Sequence, residues 1–296
     1  RADDGGRTVT DEGARNVHLD HHALWIDPSN SDHLILGSDG GISASFDGSE
    51  TWRFYDNLPI AQFYEIGFDN RNPYWVCGGL QDNGSWCGPS NTLDSQGMRN
   101  ADWQNISGGD GFYVLIDPED ASVLYSESQN GRMGRIDLTT GERASIAPQP
   151  QFELDEGSRP KKEHDGEDEP GEEDREYRYN WNTPFLISAH DRNTLYIGSQ
   201  MLLKSTDQGV TWSQISADLT FDIDRSQLSI MDELPTDSML SRHDGVSFYS
   251  TITTVGESPI NGDVLYMGSD DGRVMVTRDG GGTWSDLTES IRDLPE

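Results

Sequence analysis

Lysine is nearly missing from this chain of 296 residues, which contains only Lys161, Lys162 and Lys204. Asp and Glu number 53 against 21 Lys and Arg, so the formal net charge is -32. A chain this acidic repels nucleic acid and anionic membrane surfaces. Because the acids are spread along the whole sequence, we expect an adaptation to high salt, where screening removes the repulsion. Binding of a cation or of a basic partner is the alternative explanation.

Long apolar segments are also missing. No run of about 18 apolar residues occurs, so no membrane-spanning helix and no membrane insertion are predicted. The first residues are polar and lack the features of a signal peptide, so we expect the sequence to be a piece of a longer secreted precursor. The length suits one large all-β domain, and the 32 glycines suit a protein with many turns.

Cysteine occurs only twice, at Cys77 and Cys87, on either side of the turn-like sequence Gln81-Asp82-Asn83-Gly84. A symmetric hairpin centred on Asp82 places the two cysteines opposite each other, with Cβ atoms about 4.5–5.5 Å apart. The spacing therefore predicts a cross-strand disulfide, the alternative being two small buried thiols. A disulfide indicates an oxidising compartment, so we expect a secreted, periplasmic or cell-surface protein.

A short pattern, Ser/Thr-x-Asp-x-Gly-x-Thr-Trp, is repeated along the chain. It occurs at residues 205–212 and 277–284, and at 45–52 with Ser49 in place of the glycine. The pattern resembles the Asp-box of BNR-repeat β-propellers, a family that includes sialidases, xyloglucanases and sortilin-type receptors. The aspartate suits a turn and the tryptophan suits packing against a neighbouring repeat. We therefore expect structural roles for six residues: Asp47, Trp52, Asp207, Trp212, Asp279 and Trp284.

Five segments share one layout, in which a strand ending near Asp-Pro is followed by a strand of the type Leu-Tyr-Ile-Gly-Ser. β-branched and aromatic residues dominate these strands, and turn residues bound them. Repeats of four strands arranged radially make a β-propeller. We predict an all-β fold, with residues 1–296 forming one propeller of four-stranded blades or part of one. A sixth blade could be closed by residues 1–17, or by another domain or chain. The five second strands are predicted at residues 34–38, 75–79, 124–126, 195–199 and 265–269.

The resemblance extends beyond the repeated turns. Stretches at residues 18–28, 79–86, 108–113, 127–131 and 180–184 are similar to bacterial proteins with a sortilin-type amino-terminal propeller. Many members of that family are labelled glycosyl hydrolases on the Asp-box alone. The resemblance implies a secreted propeller without fixing its chemistry.

Two long segments interrupt the repeats. Residues 152–177 are crowded with Asp and Glu and poor in apolar residues, which predicts an acidic insertion between blades. Residues 218–244 predict a second insertion, with a short helix around residues 225–233. Such insertions and the turns between second and third strands fall on one face of a propeller, and we call it the loop face. Loops gathered on a rigid scaffold commonly carry function.

The loop face is expected to combine carboxylates, amides and aromatic rings, a mixture that suits sugars through directed hydrogen bonds and flat apolar surfaces. The leading hypothesis is binding of a glycan or peptide without chemistry. Its expected ligand-binding residues are Gln81, Asn83, Trp86, Asp110, Phe112, Gln129, Asn130, Trp181 and Asp271.

Two other functions stay open. A glycoside hydrolase would use a pair among Asp39, Asp82 and Asp110, and Asp39-Gly40-Gly41 loosely resembles the catalytic turns of xyloglucanase-type propellers. Each of these aspartates also suits an ordinary hairpin turn. A structural module of a larger secreted assembly is the third hypothesis. Sialidase chemistry is not expected, because the arginines are scattered rather than clustered around one carboxylate site.

His18, Asp20 and His22 form the remaining candidate constellation. On one extended strand they would share a face, with neighbours about 6.6 Å apart along the backbone. Two of them could hold one metal, with help from another blade. The alternative is hydrogen bonding at the entry of an inner strand. The ligand-binding hypothesis requires no cofactor, and it is compatible with a bound divalent cation.

Overall fold

The structure, a computed structural model, describes residues 5–8, 16–58, 60–148, 177–236, 238–239 and 248–291. Within these ranges the chain forms five antiparallel sheets of four strands each. Every sheet contains four strands that follow one another in the chain, so each sheet is an up-and-down meander. This is the blade architecture of a β-propeller, as the sequence predicts.

The blades follow one another along the chain. Blade 1 contains β1(His21–Asp27), β2(Asn30–Ser38), β3(Gly41–Ser45) and β4(Arg53–Phe54). Blade 2 contains β5(Phe63–Phe68), β6(Trp75–Leu80), β7(Gly84–Pro89) and β8(Gln104–Ser107). Blade 3 contains β9(Gly111–Ile116), β10(Val123–Ser128), β11(Arg132–Asp137) and β12(Arg143–Ser145). Blade 4 contains β13(Phe185–Ile187), β14(Leu195–Gly198), β15(Leu202–Ser205) and β16(Ser213–Gln214). Blade 5 contains β17(Ile252–Glu257), β18(Leu265–Ser269), β19(Val274–Thr277) and β20(Trp284–Asp286).

Alternate residues of each second strand point to opposite neighbours, and this alternation builds the core. Leu195 of β14 packs in a buried cluster shared with blade 3, whereas the adjacent Tyr196 packs in one shared with blade 5. A third cluster, containing Cys77 and Leu124, joins blades 2 and 3. The core is thus a series of apolar layers between blades, each dependent on both of its neighbours.

Close backbone contact between blades 2 and 3 explains two glycines. A Cβ atom on Gly79 would lie 2.0 Å from the carbonyl carbon of Gly111, and a Cβ on Gly111 would lie 2.3 Å from the Ser85 hydroxyl oxygen. Any side chain at either position would push the blades apart. These glycines bring the blade 2 hairpin against the start of β9, where the candidate site lies.

The predicted disulfide is confirmed. Cys77 of β6 is paired directly with Cys87 of β7, and their sulfur atoms are bonded at 2.06 Å. Both cysteines are completely buried. The bridge closes the hairpin whose turn carries Asp82.

The three repeated turns share one hydrogen-bond pattern, seen clearly at Asp207. Its Oδ1 accepts hydrogen bonds from the Ser205 hydroxyl at 2.8 Å and from the backbone N–H of Thr211 at 2.8 Å. The Ser205 hydroxyl oxygen accepts from the N–H of Gly209, which has a φ of 85°. The same bonds recur around Asp47 and Asp279. Hydrogen bonds from the hydroxyl and the backbone N–H of Thr51 to Asp47, and of Thr283 to Asp279, hold the pKa of each aspartate down at about 2.

The tryptophans that end these turns connect blades. The indole N–H of Trp212 donates to the carbonyl of Ile146 in blade 3 at 2.7 Å, and that of Trp284 donates to the carbonyl of Ile215 in blade 4 at 3.4 Å. Trp52 of blade 1 instead donates to the hydroxyl of its own neighbour Ser49.

The insertions are described unequally. The acidic insertion predicted at residues 152–177 lies outside the described residues, apart from Tyr177. The described part of the second insertion contains one 3₁₀ turn, Arg225–Gln227, and an isolated bridge between Ile230 and Glu233 in place of the helix expected around residues 225–233. In the described part of the chain, no helix has the length and apolarity needed to cross a bilayer.

Candidate functional site

Hydrogen bonds between blades assemble the loop face. The turn of blade 2 meets the loop that enters blade 3, where the backbone N–H of Asp82 donates to Oδ1 of Asp110 at 2.8 Å. The turn of blade 3 meets the loop that enters blade 4, where the N–H of Asn130 donates to the carbonyl of Trp181 at 3.3 Å. The second-to-third-strand turns and the inter-blade loops therefore share one face. The Ser/Thr-x-Asp turns join third to fourth strands and lie at the opposite ends of β3, β15 and β19.

Asp82 and Asp110 form the centre of this face. Asp82 occupies the left-handed region with a φ of 59°, which exposes its N–H to the buried carboxylate of Asp110. Burial, the charge and a hydrogen bond of Asp110, and the charge of Asp39 together raise the pKa of Asp82 to about 6. Near pH 6 this pair can both accept and donate hydrogen bonds, since one carboxyl is then protonated part of the time.

A third and a fourth carboxylate extend the group. One oxygen each of Asp20, Asp39 and Asp82 lies within 4.8 Å of the others. The ring of His22 also contacts the Asp39 carboxylate through Nε2. Three oxygen ligands at this spacing are the kind that Ca²⁺ or Mg²⁺ takes in proteins.

The predicted metal set of His18, Asp20 and His22 is wrong in its geometry. β1 begins only at His21, and Asp20 has a φ of 57°, so residues 18, 20 and 22 do not share the face of one strand. Of the three, only Asp20 belongs to the group of close oxygen ligands. The ring of His18 contacts the carbonyl of Leu19 instead.

An aromatic pair borders the acids. The ring of Tyr64 lies 4.6 Å from the ring of Phe112, centre to centre. Phe112 is 1% exposed, whereas Tyr64 is 36% exposed. Phe112, which we expected to contact a ligand, is therefore buried behind Tyr64. The ring of Tyr64 is the one that a ligand can reach. The pKa of Tyr64 is raised by burial and by the charges of Asp110 and Asp82, which places its hydroxyl near both acids.

The turn of blade 2 is held rigid by its own amide and indole groups. The indole N–H of Trp86 donates to the carbonyl of Asn83 at 2.7 Å. The amide of Asn83 donates to the carbonyl of Gln81 at 2.9 Å and reaches the carbonyl of Asp39 in blade 1 at 3.4 Å. These bonds position Asp82 and tie blade 1 to blade 2 at this face.

The turn of blade 3 offers amide oxygens. Oε1 of Gln129 and Oδ1 of Asn130 are buried and have no hydrogen-bond partner among the described residues. Trp181, which is partly exposed, lies beside them through the bond from Asn130. Unpaired buried oxygens are costly, so donors from a ligand or from water would stabilise this part of the face.

Asp271, the predicted ligand residue of blade 5, is engaged by the protein itself. Its Oδ2 accepts from the backbone N–H of Phe221 at 2.8 Å, and its Oδ1 accepts from the Ser269 hydroxyl. These bonds fasten the second insertion to blade 5. The structure thus brings Asp39, Asp82 and Asp110 together and leaves Asp271 in a separate region.

Glu127 is an additional ionisable group that was not among the predicted site residues. It is completely buried beneath the turn of blade 3, and burial raises its pKa well above the ordinary value. Its Oε1 accepts from the N–H of Thr183 at 3.4 Å, and its Oε2 has no partner among the described residues. The sequence does carry a signal, because Glu127 follows Leu-Tyr-Ser where the equivalent strands β14 and β18 have glycine, at Gly198 and Gly268.

No protein-family model and no curated protein sequence matches the chain. Solved structures of similar fold include the GH74 xyloglucanase from Xanthomonas campestris, which is 14% identical with a TM-score of 0.42 over 88% of this chain and 37% of that one. An auxiliary nutrient binding protein from Bacteroides thetaiotaomicron is 13% identical with a TM-score of 0.41 over 90% and 56%. The Cps50 (Swd1) β-propeller domain from Myceliophteria thermophila is 12% identical with a TM-score of 0.41 over 93% and 68%.

The chain spans only 37% of the xyloglucanase and 56% of the nutrient binding protein. Likenesses of this degree concern the fold and carry no argument about activity. The description of five four-stranded blades stands on the sheets of this chain itself.

Proposed function

We propose that the chain binds a glycan or peptide ligand through the loop face, without transforming it. The observation that carries the proposal is the convergence of Asp82, Asp110 and Tyr64, from three segments of two blades, at one surface. A carboxyl pair with one pKa near 6 can exchange hydrogen bonds of both kinds with hydroxyl or amide groups. The ring of Tyr64 supplies a flat surface for a sugar ring or a peptide side chain.

The contacts of the acids favour binding over hydrolysis. Retaining glycosidases hold their two carboxyl groups about 5–5.5 Å apart, and inverting ones about 6.5–9.5 Å apart. One oxygen each of Asp39 and Asp82 lies within 4.8 Å of the other, which fits the retaining spacing. The protein itself engages two of the three acids, however, because Asp39 contacts the ring of His22 and Asp110 accepts the N–H of Asp82. The hydrolase alternative predicts cleavage of an oligosaccharide that Asp39→Asn or Asp82→Asn abolishes.

A screen of glycans and peptides, followed by titration of each hit, tests the binding proposal. Tyr64→Ala and Trp181→Ala should each weaken binding about tenfold or more, because each removes an exposed ring from the loop face. Tyr266→Ala is the matched control, since this exposed tyrosine lies on a flank of blade 5 and not on the loop face. Equal affinity of the wild type and both loop-face variants would contradict the assignment of the site.

The proposal needs no cofactor. If a divalent cation belongs to the site, calcium or magnesium at millimolar concentration should raise the melting temperature, and Asp39→Asn should remove that effect. The buried disulfide supports a secreted, periplasmic or cell-surface location. The three repeated turns support a relationship with Asp-box propellers of the sortilin type.

A second proposed role is that of a module in a larger assembly, and an uncovered flank on blade 5 favours it. Tyr125 and Tyr196 face the following blade and are 0% and 2% exposed, whereas Tyr266 at the same strand position is 46% exposed. The carbonyls of Ile146 and Ile215, which follow the last strands of blades 3 and 4, each accept an indole N–H from the next blade. Leu287 holds the equivalent position after β20, and its carbonyl accepts the N–H of Ser290, in its own chain segment, at 2.8 Å.

Light scattering on the native protein, with Tyr266→Asp as the variant, tests this role. An assembly through the flank should dissociate in the variant because a charge there opposes burial. A monomeric wild type, or an assembly unaffected by Tyr266→Asp, would contradict it.

A further inference from the structure

The axis of the propeller contains a cavity that is separate from the loop-face acids. Strands β5, β9, β13 and β17 line it, one from each of blades 2 to 5, and its volume is about 280 Å³. Its walls are mainly apolar, with contributions from Leu115, Phe185 and Val255. Among the described residues Glu65 is the one carboxylate that lines it, and Tyr113 adds an aromatic ring and a hydroxyl. Mainly apolar walls with a few polar groups are the usual composition of small-molecule sites.

The charge of Glu65 is not neutralised by the protein. No hydrogen bond or ion pair to its carboxylate occurs within the described part of the chain, and the lining set contains no Lys, Arg or His. Glu65 is half-buried among apolar walls. A carboxylate in such surroundings gains from a cation, since attraction between charges is stronger where water is partly excluded.

Tyr113 adds a second recognition element. Burial raises the pKa of Tyr113 to about 12, and the charges of Glu65 and Glu127 act in the same direction. The hydroxyl therefore keeps its proton at neutral pH and lies close enough to both acids to feel their charges. Tyr113 and Phe185 both line the cavity, and aromatic rings attract cations.

We propose that the axial cavity binds a small organic ammonium ion, with the charged nitrogen at Glu65 and the hydrocarbon part against Leu115, Phe185 and Val255. A single carboxylate, aromatic rings and apolar walls match an alkylammonium better than a bare metal ion, which needs several oxygen ligands. The carboxylate and the apolar walls also disfavour the binding of anions. At about 30 Å³ of liquid volume per water molecule, the cavity of about 280 Å³ has room for roughly nine non-hydrogen atoms. This site is independent of the loop face and of the ligand proposed for it.

Isothermal titration of the native protein with n-butylammonium in 0.5 M sodium chloride tests the proposal. At that salt concentration unspecific attraction to the acidic surface is largely screened. Titration with n-butanol, which has a similar shape and no charge, shows how much of the affinity depends on the cation. We expect n-butylammonium to bind at least about tenfold more tightly than n-butanol.

Two variants locate the bound ion. Glu65→Gln should lower the affinity for n-butylammonium about tenfold or more, while Glu142→Gln, a matched change at an exposed glutamate, should leave it unchanged. Val255→Phe should also weaken binding by filling the cavity, which keeps the test decisive if Glu65→Gln folds poorly. Circular dichroism confirms folding of each variant.

Other results would overturn the proposal. These are an absence of n-butylammonium binding by the wild type, equal affinity for n-butanol, or equal affinity of the wild type and both cavity variants. Asp82→Asn separates this proposal from the loop-face function, because it should alter binding at the loop face and leave the ammonium affinity unchanged.

Discussion

At the scale of single residues, burial gives two acids their unusual character. Asp82 has a pKa of about 6 because it is partly desolvated beside Asp110 and Asp39. Glu127 is fully buried and has only one of its oxygens hydrogen-bonded within the described chain. Both carboxyl groups hold a proton more readily in the folded chain than in the unfolded chain. This makes the stability of the fold depend on pH in a defined direction.

Asp82→Asn should stabilise the protein above pH 7 and have little effect below pH 4. A folded pKa of about 6 against the ordinary 3.8 means that the contribution of Asp82 is fully present below 3.8 and is lost as pH rises through 6. Asparagine tolerates the left-handed φ of this position and carries no charge. We predict a melting temperature about 2–4 °C higher at pH 8, measured by calorimetry. A variant less stable than the wild type at pH 8 would contradict the repulsion between these acids.

Glu127→Gln should be tolerated at pH 7, whereas Glu127→Ala should destabilise the fold. Burial raises the pKa of Glu127 well above its ordinary value and so favours the neutral form, whose shape the amide reproduces while still accepting from the N–H of Thr183. Alanine removes that acceptor and leaves a hole, which should cost about 1–3 kcal/mol of the free energy of unfolding. Denaturant titration of both variants measures this. Equal losses in the two variants would show that the charge of Glu127 is needed.

At the scale of elements, the blade 2 hairpin connects the disulfide to the site. The bridge between Cys77 and Cys87 crosses the two strands whose turn presents Asp82 to Asp110. The double variant Cys77→Ala/Cys87→Ala should lose about 2–4 kcal/mol of stability, because the bridge restricts the unfolded chain. Denaturant unfolding of the wild type with and without reductant gives the matched measurement. Unchanged stability after full reduction, verified by mass, would contradict this role.

The repeated turn of blade 4 predicts a local effect of a different kind. Asp207→Ala removes the acceptor of hydrogen bonds from Thr211 and Ser205, so the turn should loosen. We expect faster amide hydrogen exchange in residues 205–212 and a lower melting temperature. Glu142→Ala, at an exposed glutamate whose carboxylate makes no hydrogen bond within the described residues, is the control for a general effect of removing an acid. Exchange in 205–212 that is no faster than in this control would argue against the turn as a stabilising element.

The sequence predicted the elements better than the site. The repeated segment of the type Leu-Tyr-Ile-Gly-Ser identified all five second strands, since each blade places this segment in its interior. The cysteine spacing identified the hairpin register, because opposed positions are fixed once the turn is known. The predicted metal set was wrong because His18 and Asp20 precede β1. The left-handed backbone at Asp20 also prevents these residues from sharing one strand face with His22. Glu127 and the burial of Phe112 depend on contacts between blades, which spacing within one blade does not reveal.

At the scale of the whole molecule, the net charge of -32 should make stability depend on salt. The Debye length falls from about 30 Å at 0.01 M to about 3 Å at 1 M, so repulsion across the domain should disappear over this range. We predict a melting temperature that rises steeply with sodium or potassium chloride. Deleting residues 153–176, which lie outside the described residues, should weaken the dependence and leave the blades folded. A melting temperature insensitive to salt would contradict the adaptation to salt and favour the alternative, in which the acids bind a cation or a basic partner.

The two ends of the blades divide the molecule into a loop face and a face of repeated Ser/Thr-x-Asp turns. The loop face holds the acids with a raised pKa, the unpaired amide oxygens and the exposed ring of Tyr64. The opposite face holds aspartates whose oxygens are already bonded within their own turns. We therefore expect a ligand to bind at the loop face.

Hydrogen–deuterium exchange, with and without a glycan or peptide found by screening, tests whether the ligand binds at the loop face. Our account predicts protection of residues 79–86 and 107–113, where Asp82 and Asp110 meet, and no change in residues 45–52, 205–212 and 277–284. Protection confined to those three turns, with 79–86 and 107–113 unchanged, would place the binding site on the opposite face and contradict the account.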